Sequence, residues 1–177
     1  MGKGGGGRMV IVYTGDGKGK TTAALGLAMR AVGHGMKVIM LQFLKGKWKP
    51  GERKAAEKLA PLFEMRPLGG DFTWESENIA QNRETARKAW EESRKAVLSG
   101  AYDMVILDEI NYVVGYDFLP AEEVLTLIRE KPPGMHLVLT GRRAHSKLIE
   151  AADLVTEMVA IKHPFRKGIK GQRGIEF

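Results

Sequence analysis

A loop rich in glycine and lysine lies between an apolar run and a helix-forming segment, and it restricts the fold more than any other feature. It reads Thr14-Gly-Asp-Gly-Lys-Gly-Lys-Thr-Thr22, after the apolar run Met9–Tyr13 and before Ala23–Met29. Loop amides and a helix N-terminus, which carries about half a positive charge, favour phosphate binding. In such loops the lysine reaches the terminal phosphates and the next hydroxyl binds Mg²⁺. The pattern predicts a nucleoside triphosphate site, with Lys20 and Thr21 in these roles.

The loop departs from the usual pattern G-x-x-x-x-G-K-[ST] at its first position, where Thr14 replaces glycine. Alternate glycines from Gly15 to Gly19 still allow close approach of a phosphate to the backbone. A dinucleotide-binding fingerprint is excluded, because Lys20 occupies the place of its third glycine. A ligand-free linker, as residues 2–8 are expected to be, needs neither a strand before it nor a helix after it. The loop is therefore interpreted as a phosphate site.

Length and composition indicate one globular domain. The chain has 177 residues, 44% of them apolar and none of them cysteine. No run approaches the ~20 apolar residues that span a bilayer, so no membrane association is expected. The lack of cysteine excludes disulfides and thiolate metal sites and is compatible with a reducing cytoplasm, the expected location. Residues 1–8 lack the apolar stretch of a signal peptide and are expected to be flexible, which leaves 9–177 as a single P-loop domain.

The net charge of +7 is concentrated in two segments. Lys45–Lys58 carries six basic and two acidic residues, and Ala160–Phe177 carries five basic and one acidic residue. Basic segments can bind nucleic acid, but a strongly anionic triphosphate accounts for them equally well. Since no aromatic-rich ribbon or recognition motif accompanies them, the triphosphate is favoured over nucleic acid.

Short apolar runs alternate with helical patterns along the chain. Strands are predicted at Met9–Tyr13, Lys37–Phe43, Phe63–Pro67, Met104–Leu107, His136–Thr140 and Leu154–Ile161. Helices are predicted at Lys20–Val32, Pro50–Leu59 and Asn78–Leu98, with one more opening at Pro120. This alternation predicts an α/β fold of the P-loop NTPase type, with a mostly parallel sheet covered by helices on both faces.

Two of these elements carry more detailed predictions. Pro67 cannot donate a ladder hydrogen bond, so Phe63–Pro67 is expected at a sheet edge. On the helix Asn78–Leu98, one apolar stripe is formed by Ile79, Ala86, Trp90 and Val97. The spacing places Trp90 in the core rather than at a ligand.

The strand Asp103–Leu107 ends in two carboxylates, Asp108 and Glu109. In P-loop proteins a carboxylate at this place holds Mg²⁺, directly or through water, across from the loop threonine. Combined with the loop, the pattern predicts a metal site of Thr21, Asp108 and Glu109. Glu109 would activate water in an ATPase and would serve the metal in a transferase.

The fold cannot choose between hydrolysis, phosphorylation and group transfer. The four histidines, His34, His136, His145 and His163, are scattered without metal-ligand spacing, so surface or capping roles are expected for them. No pair of nucleophile and base can be selected either.

Further motifs follow the loop in a fixed order. They are Arg30–Gly35, Gln42–Gly46, Gly51–Arg53, Phe72–Trp74, Leu107–Glu109, Leu139–Arg142, Lys162–Phe165 and Gly174–Phe177. Together with Tyr13–Thr22 they resemble the P-loop-type corrinoid adenosyltransferases, which attach the adenosyl group of ATP to cobalt in cobalamin and its precursors. The resemblance covers the chain from about Met9 to its end.

The resemblance implies a role for each matching residue. ATP would be bound by Gly15, Asp16, Gly17, Lys18, Gly19, Lys20, Thr21 and Thr22, with Arg30 and Arg142 assisting at the phosphates. Thr21 and Glu109 would hold Mg²⁺, with Asp108 nearby. Phe72 and Trp74 match an aromatic pair that lies against the cobalt face and keeps the lower axial ligand away. By the residues alone, Phe72–Trp74 indicates ordinary loop packing.

The implied chemistry explains why no general base can be identified. Co(I) is itself the nucleophile, attacks C5′ of ATP and releases triphosphate. The site must position the reactants, neutralise the leaving triphosphate and exclude water. Lys20 would act on the leaving group, while Phe72 and Trp74 would keep the site dry and make Co(II) easier to reduce. Because C5′ must face the corrin, the γ-phosphate is expected to point away from this pair.

Two departures from the family pattern stand out. Many relatives carry asparagine where this chain has Asp16. The negative charge of Asp16 beside the phosphates would have to be offset by loop amides, Lys18 or Mg²⁺. Many relatives also have an N-terminal helical extension that covers the site, often across a dimer, whereas only Met1–Arg8 precede the first strand here. The resemblance implies a homodimer and a flavoprotein reductase or other electron donor. The alternative is a P-loop ATPase or nucleotide switch, with Glu109 activating water and the basic segments binding nucleic acid.

Overall fold

The structure, a computed structural model, describes residues 8–44, 51–69, 79–164 and 168–175. Within these ranges the strands are β1 (Val10–Thr14), β2 (Val38–Gln42), β3 (Phe63–Pro67), β4 (Met104–Asp108), β5 (His136–Thr140) and β6 (Leu154–Glu157). The helices are α1 (Lys20–Gly33), α2 (Gly51–Lys58), α3 (Ile79–Leu98), α4 (Ile110–Gly115), α5 (Ala121–Glu130) and α6 (Ser146–Ala151).

The strands form one sheet in the order β3-β2-β4-β5-β1-β6, and every neighbouring pair is parallel. The predicted parallel α/β fold is therefore confirmed, as is the edge position of the strand that ends in Pro67. Because all strands run the same way, their carboxyl ends share one edge of the sheet. That edge brings together Thr14, Gln42, Asp108 and Thr140, the last residues of four strands.

Helices cover both faces of the sheet, and alternate strand residues supply the two cores. One core lies between the sheet and α1 and α2; its buried members include Ile11, Tyr13, Ala24, Ala28, Met40, Ala56 and Ile106. The other lies beneath α3, α4 and α5 and includes Val12, Ile39, Trp90, Val105, Ile110, Val124 and Leu139. The central strands are thus buried on both sides, as expected for a parallel sheet.

The long helix α3 confirms one core prediction and contradicts another. Trp90 is fully buried, as its place on the apolar stripe predicts. Ile79, predicted on the same stripe, is 62% exposed, and that prediction was wrong. The buried residues of α3 begin only at Ala86, so the contact with the rest of the domain starts two turns after Ile79.

The last strand is shorter than predicted. β6 ends at Glu157, whereas the apolar pattern continues to Ile161. Beyond the strand, the Met158 N–H donates to the Thr14 carbonyl at 2.8 Å and the Met158 carbonyl accepts from the Gly17 N–H at 2.7 Å. The chain therefore leaves the sheet to contact the glycine loop, and Ile161 is 86% exposed.

Two short helices, α4 and α6, are additions to the predicted elements. Each has six residues, too short for an amphipathic period to show in the sequence. His145 caps α6 by accepting from the Lys147 N–H, and His34 ends α1, so both histidines occupy the capping or surface positions expected. Among the described helices, none combines the length and apolar content that a membrane crossing requires.

Candidate active site

The glycine loop is held against the chain that follows β6. Gly15 and Gly19 have φ values of 95° and 115°, which side chains rarely adopt. A Cβ at Gly15 would overlap the carbonyl oxygen of Met158, and one at Gly17 would lie 2.7 Å from the same atom. These two glycines are therefore required by backbone packing as well as by any phosphate.

Lys20 is the first residue of α1, and its side chain reaches back into the glycine loop. Its Nζ donates to the carbonyl oxygens of Gly15 at 2.8 Å and Gly17 at 2.7 Å, and the residue is only 7% exposed. Burial lowers the pKa of its ammonium group, while the nearby Glu109 carboxylate acts in the opposite direction. The loop thus holds a buried cation at the start of a helix, which is the arrangement predicted for binding terminal phosphates.

Asp108 connects the loop to three strands. It is 4% exposed, and its Oδ1 accepts from the hydroxyls of Thr21 at 3.0 Å and Thr140 at 2.7 Å. Its Oδ2 accepts from Nε2 of Gln42 at 3.2 Å. Burial raises the pKa of this carboxyl group, and the three donors partly offset the rise. Asp108 and Thr21 are therefore brought together as predicted, in direct contact.

Glu109 occupies a strained backbone position beside Asp108. Its φ is 66°, in the left-handed region that non-glycine residues rarely adopt, and its N–H donates to the Thr140 hydroxyl at 2.9 Å. Burial and the neighbouring Asp108 raise its pKa to about 7. Strain and an upward pKa shift together are common at functional sites.

Several residues around the carboxylates had no role assigned from the sequence. Gln42 and Thr140 lie within motifs of the family resemblance, and that membership was the only signal for them. Gly141, with φ 129°, leaves room for Glu109: a Cβ there would lie 3.2 Å from the Glu109 Oε2 and 3.0 Å from the Tyr112 nitrogen. The side chain of Thr14 accepts from the Ala144 N–H at 3.0 Å, which explains a threonine at the first loop position.

Seven of the predicted site residues, Lys18, Gly19, Lys20, Thr21, Thr22, Asp108 and Glu109, line one cleft of about 640 Å³, whereas Gly15, Asp16, Gly17, Arg30 and Arg142 are not among its lining residues. Its charged and polar wall consists of Lys18, Gly19, Lys20, Thr21, Thr22, Gln42, Glu52, Asp108 and Glu109. The rest of the lining is Leu25, Leu44, Gly51, Gly174 and Ile175. The sequence predicted the first group in large part. For Leu44, Gly51, Gly174 and Ile175, the only signal was that they lie within motifs of the family resemblance, and Leu25 had no signal.

The two arginines occupy different places. Arg142 follows β5, and its positive charge adds to the burial that lowers the pKa of Lys20 and partly offsets the rise in the pKa of Glu109, so its charge acts on the site. Arg30 lies in the last turn of α1, ten residues after Lys20 and therefore about 15 Å along the helix axis. The structure thus brings only Arg142 near the carboxylates. Phe72 and Trp74 lie outside the described residues, so their roles stay predictions.

The donor chemistry of the carboxylate cluster suits a magnesium ion. Thr21, Asp108 and Glu109 offer hard oxygen atoms, and Mg²⁺ typically takes one or two carboxylates together with substrate phosphates and water. Within the described ranges, no group of three or more histidine, cysteine or acidic residues forms a metal cage of its own. A metal that shares its ligands with a nucleotide fits these residues better than an ion held by the protein alone.

The fold and site together define a P-loop nucleotide-binding α/β protein. The model of the family described as "ATP:corrinoid adenosyltransferase BtuR/CobO/CobP" matches residues 7–177. The chain therefore belongs to this family of enzymes.

Three named relatives are similar over most of their length. The corrinoid adenosyltransferase of Escherichia coli strain K12 is 43% identical over 96% of this chain and 85% of its own. That of Sinorhizobium sp is 47% identical over 96% of this chain and 80% of its own. The corrinoid adenosyltransferase CobA of Salmonella typhimurium is 41% identical, again over 96% and 85%.

A comparison of folds gives a weaker likeness. Domain III of the Thermotoga maritima replication initiation protein DnaA aligns with 88% of this chain and 56% of that chain, with a TM-score of 0.43 and 15% identity. A likeness of this size carries no information about nucleic-acid binding.

Proposed function

We propose that the protein transfers the 5′-deoxyadenosyl group of ATP to the Co(I) centre of cobalamin or a related corrinoid. The observation that carries this proposal is the direct contact of the loop residue Thr21 with Asp108, beside Lys20, in a chain that matches the family from residue 7 to 177. Membership in the family and the names of the relatives support both ATP and a corrinoid as substrates.

The electrons balance without a protein nucleophile or base. The electron pair of Co(I) forms the bond to C5′, the C5′–O bond breaks, and its electrons leave with triphosphate. Cobalt is formally oxidised to Co(III). Since no proton is transferred in this step, the reaction requires no general base.

The protein contributes charge and position. Lys20 and the loop amides would bind the triphosphate throughout, so the leaving group meets a fixed positive field as its charge develops. To accept phosphate oxygens, the Lys20 ammonium would exchange the carbonyl oxygens of Gly15 and Gly17 for them. Arg142 lies close enough to influence Lys20 and would add to the same field.

Magnesium would be held by Thr21 and Glu109, with Asp108 orienting the Thr21 hydroxyl. When bound with ATP, the ion neutralises charge on the phosphates. The upward pKa shift of Glu109 comes from burial beside Asp108, and a cation between the two would relieve that repulsion.

Phe72 and Trp74 would lie against the corrin and keep the lower axial ligand from cobalt, which favours reduction of Co(II). The γ-phosphate would then point away from this pair. A reductase, flavin-dependent or otherwise, would deliver the electron, and the enzyme would act as a homodimer. These statements rest on the resemblance of the motifs.

The test is an anaerobic assay with purified protein, Mg-ATP and chemically reduced cob(I)alamin. We expect a light-sensitive alkylcobalamin spectrum and one triphosphate for each corrinoid converted. Steady release of phosphate without any spectral change would overturn the proposal in favour of an ATPase.

Trp74→Ala separates the corrinoid step from nucleotide binding. With cob(II)alamin and a reductant we expect turnover to fall at least tenfold, while the Kd for Mg-ATP stays within twofold. Equal loss of both quantities would show that Trp74 serves the nucleotide or the fold instead.

A further inference from the structure

The apolar part of the cleft begins where the phosphate loop ends. Thr21 and Leu25 are four residues apart on α1, so their side chains lie on the same helix face, with Leu25 one turn further from the loop. Leu44 follows β2 by two residues, and Gln42 at the end of that strand binds Asp108. The cleft therefore continues past the phosphate-binding groups into a region with an apolar wall.

A further part of the cleft lining comes from residues near the end of the chain. Gly174 and Ile175 line the same cleft as Lys20 and Thr21, although more than 150 residues separate them. Within the segment 168–175, the Ile175 N–H donates to the Gln172 carbonyl at 3.1 Å, and the Ile169 N–H donates back to the Pro164 carbonyl at 3.3 Å. Gly174, with φ 81°, gives the turn that presents Ile175.

Ile175 is unusually placed for an apolar side chain. It is 72% exposed, yet it borders a cleft whose other half carries Lys20, Asp108 and Glu109. A branched aliphatic residue contributes nothing to phosphate or metal binding. It gains free energy only by covering an apolar surface, and the apolar part of ATP is its adenosine half.

The segment 168–175 also has a positive net charge, which suits a place beside an anionic triphosphate. Residues 168–175 include Lys170 and Arg173 and no acidic residue. These cations would favour closure of the segment over a bound nucleotide, while Ile175 supplies the contact with the base or ribose.

We infer that Ile175, together with Leu25 and Leu44, forms the wall of the cleft that binds the adenosine half of the nucleotide. This inference rests on the proposed function only in taking ATP as the ligand. It gives Gly174 and Ile175 a role in binding the adenosine half of ATP, while the phosphate loop binds the phosphates.

The experiment compares Mg-ATP with Mg-tripolyphosphate, which has the phosphates without the adenosine. Dissociation constants are measured by calorimetry for the parent chain, for Ile175→Ala and for the control Ile169→Ala. Ile169 belongs to the same segment and is 45% exposed, but it does not line the cleft. Thermal unfolding of each variant checks that the fold is retained.

We expect Ile175→Ala to raise the Kd for ATP about tenfold, the effect of losing roughly two buried CH₂ groups from the contact. The Kd for tripolyphosphate should stay within twofold, and Ile169→Ala should change neither value. An unchanged ATP affinity, or equal weakening of ATP and tripolyphosphate, would overturn the inference.

A corrinoid assay on the same variants separates the two proposals. If Ile175→Ala leaves ATP binding intact and raises only the KM for the corrinoid, the wall serves the corrin and the inference is wrong. If adenosyl transfer is absent in the parent chain but ATP and tripolyphosphate are still distinguished as expected, the inference stands and the proposed function fails.

Discussion

The amino-terminal ends of the parallel strands lie along one side of the sheet, the amino edge, and their carboxyl-terminal ends lie along the other, the carboxyl edge. Polar and charged side chains occur at both edges but have different roles. At the amino edge, N–H groups at the starts of the strands have no partner in the sheet, and side chains accept hydrogen bonds from them. Asp103 Oδ2 accepts from the Lys37 N–H at 2.9 Å, Asp153 Oδ2 from Val10 at 2.7 Å and His136 Nδ1 from Met9 at 3.1 Å. The hydrogen bond to Lys37 and the nearby Arg8 lower the pKa of Asp103.

At the carboxyl edge the strands end in carbonyl groups, and the chain adds two carboxylates to them. The pKa values of Asp108 and Glu109 are raised by burial, and Asp108 raises that of Glu109 further. Charged groups with matched backbone partners thus stabilise the fold, whereas buried acids that repel one another mark the place where a cation and an anionic ligand belong.

The largest effect on activity is expected at Lys20, and Lys131 is compared with it because each lysine donates to two backbone carbonyl groups. Lys20 donates to two backbone carbonyls at the carboxyl edge, and Lys131 donates to the carbonyls of Arg8 at 3.1 Å and Met135 at 2.9 Å at the amino edge. Lys20→Ala should lower kcat/KM for ATP at least a hundredfold, since it removes the positive charge that stabilises the leaving triphosphate. Steady-state kinetics and chemical unfolding measure both variants.

Lys131→Ala is the matched control. It should leave kcat/KM within twofold and reduce the free energy of unfolding by about 1–2 kcal/mol, as expected for lost hydrogen bonds. If both variants lose activity equally, the contrast between the two edges is wrong.

The next effect concerns two glycines, one within the loop and one in the middle of α1. Gly17→Ala places a Cβ against the Met158 carbonyl, so the loop must move, and we expect ATP affinity to fall at least tenfold. Gly26→Ala, in the middle of α1 with no atom within 4 Å of the new Cβ, should stabilise the fold by about 0.5–1 kcal/mol. Calorimetry with ATP and thermal unfolding measure the pair, and unchanged ATP affinity in Gly17→Ala would contradict the packing argument.

A smaller effect is expected at Asp103. Asp103→Ala leaves the Lys37 N–H without its acceptor and removes the ion pair with Arg8, so the free energy of unfolding should fall by about 1–2 kcal/mol. Turnover should be unaffected, because these contacts lie at the edge opposite the cleft. Chemical denaturation and the adenosyl transfer assay test this, and a change in turnover at full folding would refute it.

The smallest effect is a pH dependence at His136. Burial, with Arg8 and Lys131 nearby, lowers the pKa of this imidazole. Its neutral form is favoured in the folded state, so its contribution is complete above the unfolded pKa of about 6.5 and is lost as the pH falls below that value.

His136→Asn retains an acceptor for the Met9 N–H but cannot titrate. Between pH 7.5 and 5.5 the parent chain should lose more thermal stability than this variant. Equal losses in the two proteins would show that His136 does not contribute to the dependence.

The sequence was informative wherever the local pattern and the structure depend on the same physics. The loop from Gly15 to Thr22, the strand ending in Asp108 and the core position of Trp90 follow from glycine content, apolar runs and helical spacing. The failures have a common cause. Ile79 and the extension of β6 to Ile161 were assigned from apolar pattern, but neither segment has a partner surface within the described residues that buries it.

The order of elements and the chemistry of the phosphate loop can be predicted from the sequence, because they depend on neighbours along the chain. Which distant groups meet depends on the folded chain: Thr140 and Gln42 bind Asp108, Met158 contacts the loop glycines, and Ile175 lines the cleft. Those contacts depend on strand order and on the path of the chain after β6. Side chains far apart in sequence become neighbours only when the sheet brings the carboxyl ends of its strands to one edge.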